Sequence, residues 1–247
     1  MIFSLQKIFS TSGKLGELIF FPSFCQLCSA LLRSPQERVV CRACWDQIKV
    51  HRHPYCLCCG RFFRGTGEPH FCSDCVKARP PFLLHRSASR YEGKLKDVVL
   101  LFKYRQFKVL GEDLAKFAYR ALKEEEEFWQ KADALIPVPL HPKRRRQRGF
   151  NQAQVISEEL QKIKGIEVAK GILIKVKNVP PQTSLEAEDR IKNVSGAFQV
   201  VKDIQIKGKK LLLIDDVYTT GATIRECSRV LKKAGAQDVM AVTVAQA

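Results

Sequence analysis

Nine of the ten cysteines fall at or before Cys75, and they are ordered as four Cys-x-x-Cys pairs: Cys25 and Cys28, Cys41 and Cys44, Cys56 and Cys59, Cys72 and Cys75. Twelve residues separate the two pairs of each half, so one small unit is repeated; Cys58 is left over and Cys227 stands alone near the C-terminus. A Cys-x-x-Cys turn points two thiolates at one ion about 2.3 Å away, and a second turn completes a tetrahedron. The spacing therefore predicts two closed, structural Zn²⁺ sites, Cys25/Cys28/Cys41/Cys44 and Cys56/Cys59/Cys72/Cys75, which act as folding devices for a module too small to build a large core. Disulfides compete with this reading, but they need an oxidising compartment. A four-cysteine iron–sulfur cluster competes as well, usually at other spacings. Cys58, His51, His53 and His70 lie close enough in sequence to replace a ligand. The run Gly60-Arg61-Phe62-Phe63-Arg64 reads either as the aromatic core of the module or as a charged, stacking surface for nucleic acid.

The 247 residues suit one large domain or two ordinary ones, and a hydrophobic share of 45% excludes a mainly disordered chain. The longest apolar runs fall far short of the roughly 18 residues of a spanning helix. The segment 1–21 is interrupted by Gln6, Lys7, Ser10, Lys14 and Glu17, unlike a secretory signal, and its spacing suggests one apolar helical face. A cytoplasmic location is expected. Lys plus Arg number 42 against 25 Asp plus Glu, a net charge of +17. Positions 1–90 carry 13 basic and 5 acidic residues and the remainder 29 and 20, so both parts favour anionic partners. The cysteine gradient and Pro80-Pro81 set the expected boundary: a cysteine-rich segment 1–80 and a second domain 81–247.

Beyond residue 82 helical and strand patterns alternate. Helices are expected at Leu95–Leu101, Leu110–Leu122, Asn151–Ile163 and Gly221–Ala234, with Glu124–Glu127 as a solvated helix end. Strands are expected at Ala132–Pro139, Ile172–Val176, Lys210–Ile214 and Val239–Val244. Such alternation implies an α/β fold: a mainly parallel sheet with helices on both faces.

One segment carries the chemistry. Leu211-Leu212-Leu213-Ile214-Asp215-Asp216-Val217-Tyr218-Thr219-Thr220-Gly221-Ala222-Thr223 joins a buried strand, two acids at its end, and a loop of small and hydroxyl residues opening a helix. Such a loop presents backbone N–H groups and hydroxyls to a phosphate, with the helix dipole adding attraction. Asp215 and Asp216 as mere caps and turn residues is the plainer alternative. Lys143, Arg144, Arg145, Arg146 and Arg148 form a basic loop without an acid, suited to pyrophosphate or to a nucleic-acid backbone. Asn151 is a candidate helix cap, Cys227 a core residue at helical spacing, and Lys103 and Tyr104 have no role that the sequence assigns.

These words together resemble a known family. The 211–223 segment is similar to the phosphoribosyl diphosphate (PRPP) motif of type I phosphoribosyltransferases. More narrowly, the cysteine knuckles, Phe102-Lys103-Tyr104, the stretch Pro137 to Gln152, Pro181-Gln182-Thr183 and the stretch Arg190 to Phe198 resemble, in order and nearly end to end, the ComF family, also called ComFC or GntX-like proteins. The resemblance implies a double zinc ribbon ahead of a type I phosphoribosyltransferase-like parallel sheet. It implies that Asp215 and Asp216 serve as the catalytic acids holding the ribose 2′- and 3′-hydroxyls, and that Thr219, Thr220, Gly221, Ala222 and Thr223 cradle the 5′-phosphate. Arg144, Arg146 and Arg148 then face pyrophosphate, whose Mg²⁺ is carried largely by substrate oxygens and water. Gln182, Thr183, Arg190 and Asn193 fall in an implied flap. The family further implies a part in natural competence through handling of single-stranded DNA, with other competence proteins such as a DNA helicase or translocase as partners. Two other readings stand beside it: a true phosphoribosyltransferase with a base-like acceptor that no residue identifies, and a PRPP sensor without turnover.

Overall fold

The computed structural model describes residues 23–51, 54–178, 194–201 and 203–247, with the side chains of 126 and 127 left aside. The expected N-terminal helical face, His53 and the implied flap residues Gln182, Thr183, Arg190 and Asn193 lie outside the described residues. The chain divides into two compact units, Met1–Lys49 and Val50–Ala247.

The first unit holds one knuckle pair and the short helix α1 (Arg42–Asp46). The second opens with a copy of the same device, displaced by 31 positions, Cys25 to Cys56. In each, the residue before the first cysteine bridges across the turn, Phe24 to Leu31 and Tyr55 to Phe62. The first cysteine's N–H donates to the carbonyl five residues on, Cys25 to Ala30 and Cys56 to Arg61, both at 2.8 Å. The turn needs a left-handed residue after its second cysteine, and Ser29 (φ 59°) and Gly60 (φ 65°) supply it. At Gly60 a side chain is excluded, because a Cβ would sit 2.4 Å from the carbonyl oxygen of His85. Helix α2 (Ser73–Lys77) closes the second copy as α1 closes the first.

The rest of the second unit is an α/β sheet. Its elements are β1 (His85–Arg90), α3 (Gly93–Tyr104), α4 (Leu110–Leu122), α5 (Glu126–Lys131), β2 (Ala134–Pro137), α6 (Pro142–Arg148), α7 (Gln152–Lys164), β3 (Leu173–Lys175), β4 (Phe198–Val200), β5 (Lys210–Tyr218), α8 (Ala222–Lys233) and β6 (Asp238–Gln246), with a 3₁₀ turn at Asp203–Gln205. Four strands run parallel in the order β1-β6-β5-β2, with Leu135 bridged to Val168 beyond β2. Alternation along β5 sends Leu211 and Leu213 to one face, where they join Ile224, Cys227 and Leu231 of α8 and the four cysteines of the second knuckle pair in one core. Leu212 and Ile214, equally buried, point the other way, the side on which α4 and α7 pack together.

The structure departs from the expected elements in physically readable ways. Strand β5 runs on through Tyr218, paired to β6 as far as Gln246, so the two acids lie within the strand rather than past its end. The expected strand at 172–176 does not extend the main sheet; β3 pairs antiparallel with β4 in a separate two-stranded ribbon. The basic loop is a short helix, α6, because His141 caps it by accepting from the Lys143 N–H, Pro142 occupies its first turn and Gly149 (φ 77°) ends it. The acidic run at 124–127 is not merely solvated: Glu125 pairs with the buried Arg86 at 2.7 Å. Among the described residues, no helix is long and apolar enough to cross a membrane.

Candidate functional site

The eight cysteines of the four pairs gather into two clusters, and within each the four sulfur atoms lie within 4.8 Å of one another. All ten cysteines of the chain are free thiols. Tetrahedral sites with metal–sulfur bonds of about 2.3 Å require sulfur–sulfur separations of about 3.8 Å. Observed values are 3.9 Å for Cys25–Cys44, 3.6 Å for Cys28–Cys41 and 3.7 Å for Cys59–Cys72. The geometry thus fits two zinc ribbon sites and does not fit disulfides. Backbone amides prepare one thiolate in each. Burial works against the Cys25 thiolate, yet the N–H groups of Cys41, Leu27 and Cys28 outweigh it and hold the thiol at about 6. Cys56 is likewise brought to about 7 against its burial by the N–H groups of Cys72, Cys59 and Cys58. Burial and the neighbouring sulfurs push Cys44, Cys59 and Cys75 up, Cys59 to about 12, so without a cation each cluster resists full ionisation. A divalent cation removes that resistance by neutralising the thiolates.

Neither described histidine near the pairs is a ligand. His70 stacks on Phe63 at 4.2 Å and His51 packs edge-on to Phe62 at 4.7 Å. Both phenylalanines are thereby engaged, and Arg61 pairs with Asp74 at 2.7 Å. Cys58 is buried outside the cluster, its sulfur 3.9 Å from the Leu83 carbonyl oxygen.

The second site is a cavity of about 150 Å³ at the carboxyl end of β5. Asp215, Asp216, Thr223, Arg148 and Lys175 line it. Successive side chains of a strand leave opposite faces, and only one of the two acids meets a cation directly. Asp216, on one side, accepts from the Lys103 ammonium at 2.7 Å, with the two side chains only 9% and 14% exposed. Burial opposes the Lys103 charge, but Asp216 outweighs it and holds the ammonium above the usual lysine range. Asp215, on the other, has no such contact: burial and the Asp216 charge push its carboxyl up to about 7, against the more distant Lys103 and Lys175. Burial holds Lys175 below the usual lysine range, with its ammonium 5.2 Å over the Phe198 ring.

Beside the acids the chain turns into α8 through Gly221, whose φ of 77° and lack of a side-chain cap open the helix end. A Cβ there would meet the Tyr218 hydroxyl at 2.2 Å. Among the described residues, the Thr223 and Ile224 N–H groups of the first turn have no protein acceptor, while Ala222 N–H donates to Thr220 Oγ1 at 3.4 Å. Open first-turn amides at a helix N-terminus attract anions. Tyr218 itself is held from below: its ring stacks on His85 at 4.0 Å. His85 Nδ1 lies 2.8 Å from the Cys59 carbonyl, which only accepts, so Nδ1 carries the proton and Nε2 faces the Thr243 and Ser87 hydroxyls at 3.0 and 3.3 Å. Burial drops His85 to about 3 and keeps it neutral. A continuous path of contacts therefore runs from a ligand of the second cluster to the loop after β5.

Comparison with known proteins covers both regions of the chain. Residues 18–76 match the double zinc ribbon domain and residues 106–247 the phosphoribosyl transferase domain. Competence protein F of Haemophilus influenzae is 31% identical over 211 residues, covering 84% of this chain and 90% of the relative. The chain belongs to the ComF family. DNA utilization protein YhgH of Salmonella typhimurium is 26% identical over 224 residues, covering 90% and 96%. Among solved structures, glutamine phosphoribosylpyrophosphate amidotransferase from B. subtilis, complexed with ADP and GMP, aligns at 23% identity and a TM-score of 0.34, over 55% of this chain and 25% of its own.

In this ComF-family chain the residues singled out in the sequence are placed unevenly. Asp215, Asp216, Thr223 and Arg148 share the cavity. Arg148 is held by Gln152 at 3.0 Å and sits 5.4 Å over the Tyr104 ring. Arg144 is half-buried, and burial with the Arg148 charge lowers its proton affinity. Arg146 is exposed and does not line the cavity. Lys103 and Lys175 were invisible as site residues, because their partners stand far away in sequence.

Proposed function

We propose that this chain is a PRPP-binding member of the ComF family that serves the use of incoming DNA. The carrying observation is the juxtaposition in one cavity of an acid pair, Asp216 buried and Asp215 half-buried, with Lys103 on Asp216, Arg148 and Lys175 in the lining, and an open helix N-terminus. On this reading Asp215 and Asp216 accept hydrogen bonds from the ribose hydroxyls, and Lys103 fixes the orientation of Asp216. Thr219 to Thr223 receive the 5′-phosphate at the start of α8. Arg148, with Arg144 and Arg146 on the same short helix, meets pyrophosphate. Mg²⁺ would enter with the substrate and neutralise the pyrophosphate charge; the protein side of the site offers it only the acid pair.

The names of the relatives, competence protein F and DNA utilization protein, support a setting in DNA uptake or use. The net charge of +17 supports contact with single-stranded DNA by counterion release, in the cytoplasm and alongside a helicase or translocase. The test is the double substitution Asp215→Asn, Asp216→Asn. PRPP binding should be lost, while binding of a single-stranded oligonucleotide keeps its affinity and salt dependence; retention of PRPP binding overturns the assignment of the acids.

Transfer of the phosphoribosyl group, rather than binding alone, is favoured by one observation: a second cleft opens beside the first.

A further inference from the structure

The second cleft has a volume of about 510 Å³, within the range of small-molecule sites. It shares Pro139, Leu140, Asn151 and Lys175 with the cavity that holds the acids, so the two compartments meet along a common wall. Its other walls are largely apolar, with Leu173, Ile174 and Val176 from the β3 ribbon facing Pro137. No carboxylate lines it.

The polar groups of the cleft are mostly committed elsewhere. Asn151 donates to the Val138 carbonyl and caps the Ala153 N–H. Gln154 donates to Glu158, and Lys170 pairs with the same carboxylate at 2.6 Å. His141 Nδ1 caps the Lys143 N–H. Two cations are left. Arg145 lies exposed at the rim, and Lys175 stands at the junction of the compartments with no ion pair or hydrogen bond among the described residues. A cleft with apolar walls, two uncommitted cations and no acid fits a ligand with an apolar body and a negative charge. Phe, Tyr and Trp are missing from its walls and the one ring there, His141, is engaged as the cap of the Lys143 N–H, which argues against a stacked base of single-stranded DNA as the occupant.

We infer that this cleft is the acceptor compartment of the neighbouring sugar-phosphate site, and that it takes a small heteroaromatic acid whose carboxylate meets Lys175 and Arg145. This rests on the PRPP reading above. The chemistry follows from the shared wall. A ring nitrogen of the acid forms a bond to the anomeric carbon of PRPP. The bond from that carbon to pyrophosphate oxygen breaks and pyrophosphate leaves with the electron pair; an imidazole acceptor then gives its ring N–H proton to water, whereas a pyridine or pyrimidine acceptor, which has none, keeps the positive charge on its ring nitrogen. The negative charge of the acceptor also balances the local excess of cations, which a neutral base would leave unpaired.

The experiment uses zinc-loaded protein and two binding series. The first titrates PRPP with Mg²⁺ and tests the underlying reading by itself. The second measures, by ligand-observed NMR with PRPP present, pyridine-2-carboxylate, pyrimidine-4-carboxylate and imidazole-4-carboxylate, each beside its carboxamide, with pyrophosphate release followed in parallel. At least one acid should bind about tenfold or more tightly than its amide, because the amide leaves the half-buried Lys175 charge unpaired. Lys175→Gln should erase that preference and Lys175→Arg restore part of it, with circular dichroism unchanged. Normal PRPP binding with no acid preferred over its amide, or with Lys175→Gln retaining the preference, overturns the acceptor assignment and leaves the PRPP reading standing. Absence of PRPP binding overturns both.

Discussion

Replacing Lys103 by Met probes the buried pair that orders the candidate site. The ammonium lies 2.7 Å from Asp216 Oδ1, and both side chains are nearly sealed from water. At an effective dielectric constant of about 20, charges about 4 Å apart attract by about 4 kcal/mol. Removing one member of a buried pair costs about 3–5 kcal/mol, since the other charge stays buried and unpaired. Here the orphaned carboxylate also adjoins Asp215, which already resists ionisation. For a unit of this size about 4 kcal/mol corresponds to a fall in Tm on the order of 10 °C. The loss depends on pH. Without Lys103 the acid pair holds a proton more tightly when folded than when unfolded, so its contribution falls as pH rises, and the gap to the parent protein should widen from pH 6 to pH 8. Thermal unfolding followed by circular dichroism, with zinc present throughout, measures both effects. Lys103→Met/Asp216→Asn should recover part of the stability, giving a double-mutant coupling of about 1–3 kcal/mol. A Tm loss under about 3 °C at pH 8, or a gap that does not change with pH, would refute the reasoning.

Three further outcomes are expected. Metal analysis of purified protein should find two zinc ions per chain, and Cys59→Ser should unfold the second knuckle pair and with it the core it shares with β5 and α8; one ion, or iron, contradicts the assignment. Gly221→Ala places a Cβ against the Tyr218 hydroxyl at a positive φ, so it should weaken PRPP binding at least about tenfold by displacing the loop, read by calorimetry. Asp215 keeps its proton to about pH 7 when folded, above its unfolded value, so the stability it contributes is present at low pH and lost as pH rises through 7. Asp215→Asn should therefore raise the Tm of the ligand-free protein at pH 8 and raise it less at pH 6; equal shifts at the two values would be contrary.

The metal clusters were fully legible in the sequence, because a local turn fixes two ligands and the repeat supplies the other two. The acid pair and the Thr/Gly loop were legible for the same reason: strand, acids and helix start are contiguous. What stayed hidden depends on distant pairing. Strand β1 reads His-Arg-Ser-Ala-Ser-Arg, with none of the apolar alternation that marks a strand. It is nonetheless buried, since His85 and Ser87 satisfy each other with Thr243, and Arg86 finds Glu125 and the Tyr55 ring. Lys103 had no assignable role because Asp216 is brought to it only by the fold, from far along the chain. Lys175 looked like one residue of an ordinary strand, and only the pairing of β3 with β4 sets it at the junction of two cavities. Helix α6 had a readable signal in Pro142 and Gly149, but its wholly polar body gives no periodicity.

The central claim is that the acid pair and the loop after it form a working sugar-phosphate site. Calorimetric titration of zinc-loaded protein with PRPP and Mg²⁺, against pyrophosphate with Mg²⁺ as the comparison, tests it most directly. Saturable one-to-one binding with a Kd in the micromolar range, about −8 kcal/mol, and at least about tenfold tighter than pyrophosphate alone, is the predicted result, since the ribose and 5′-phosphate add contacts to Asp215, Asp216 and the α8 N-terminus. No binding, or binding equal to that of pyrophosphate, would contradict it.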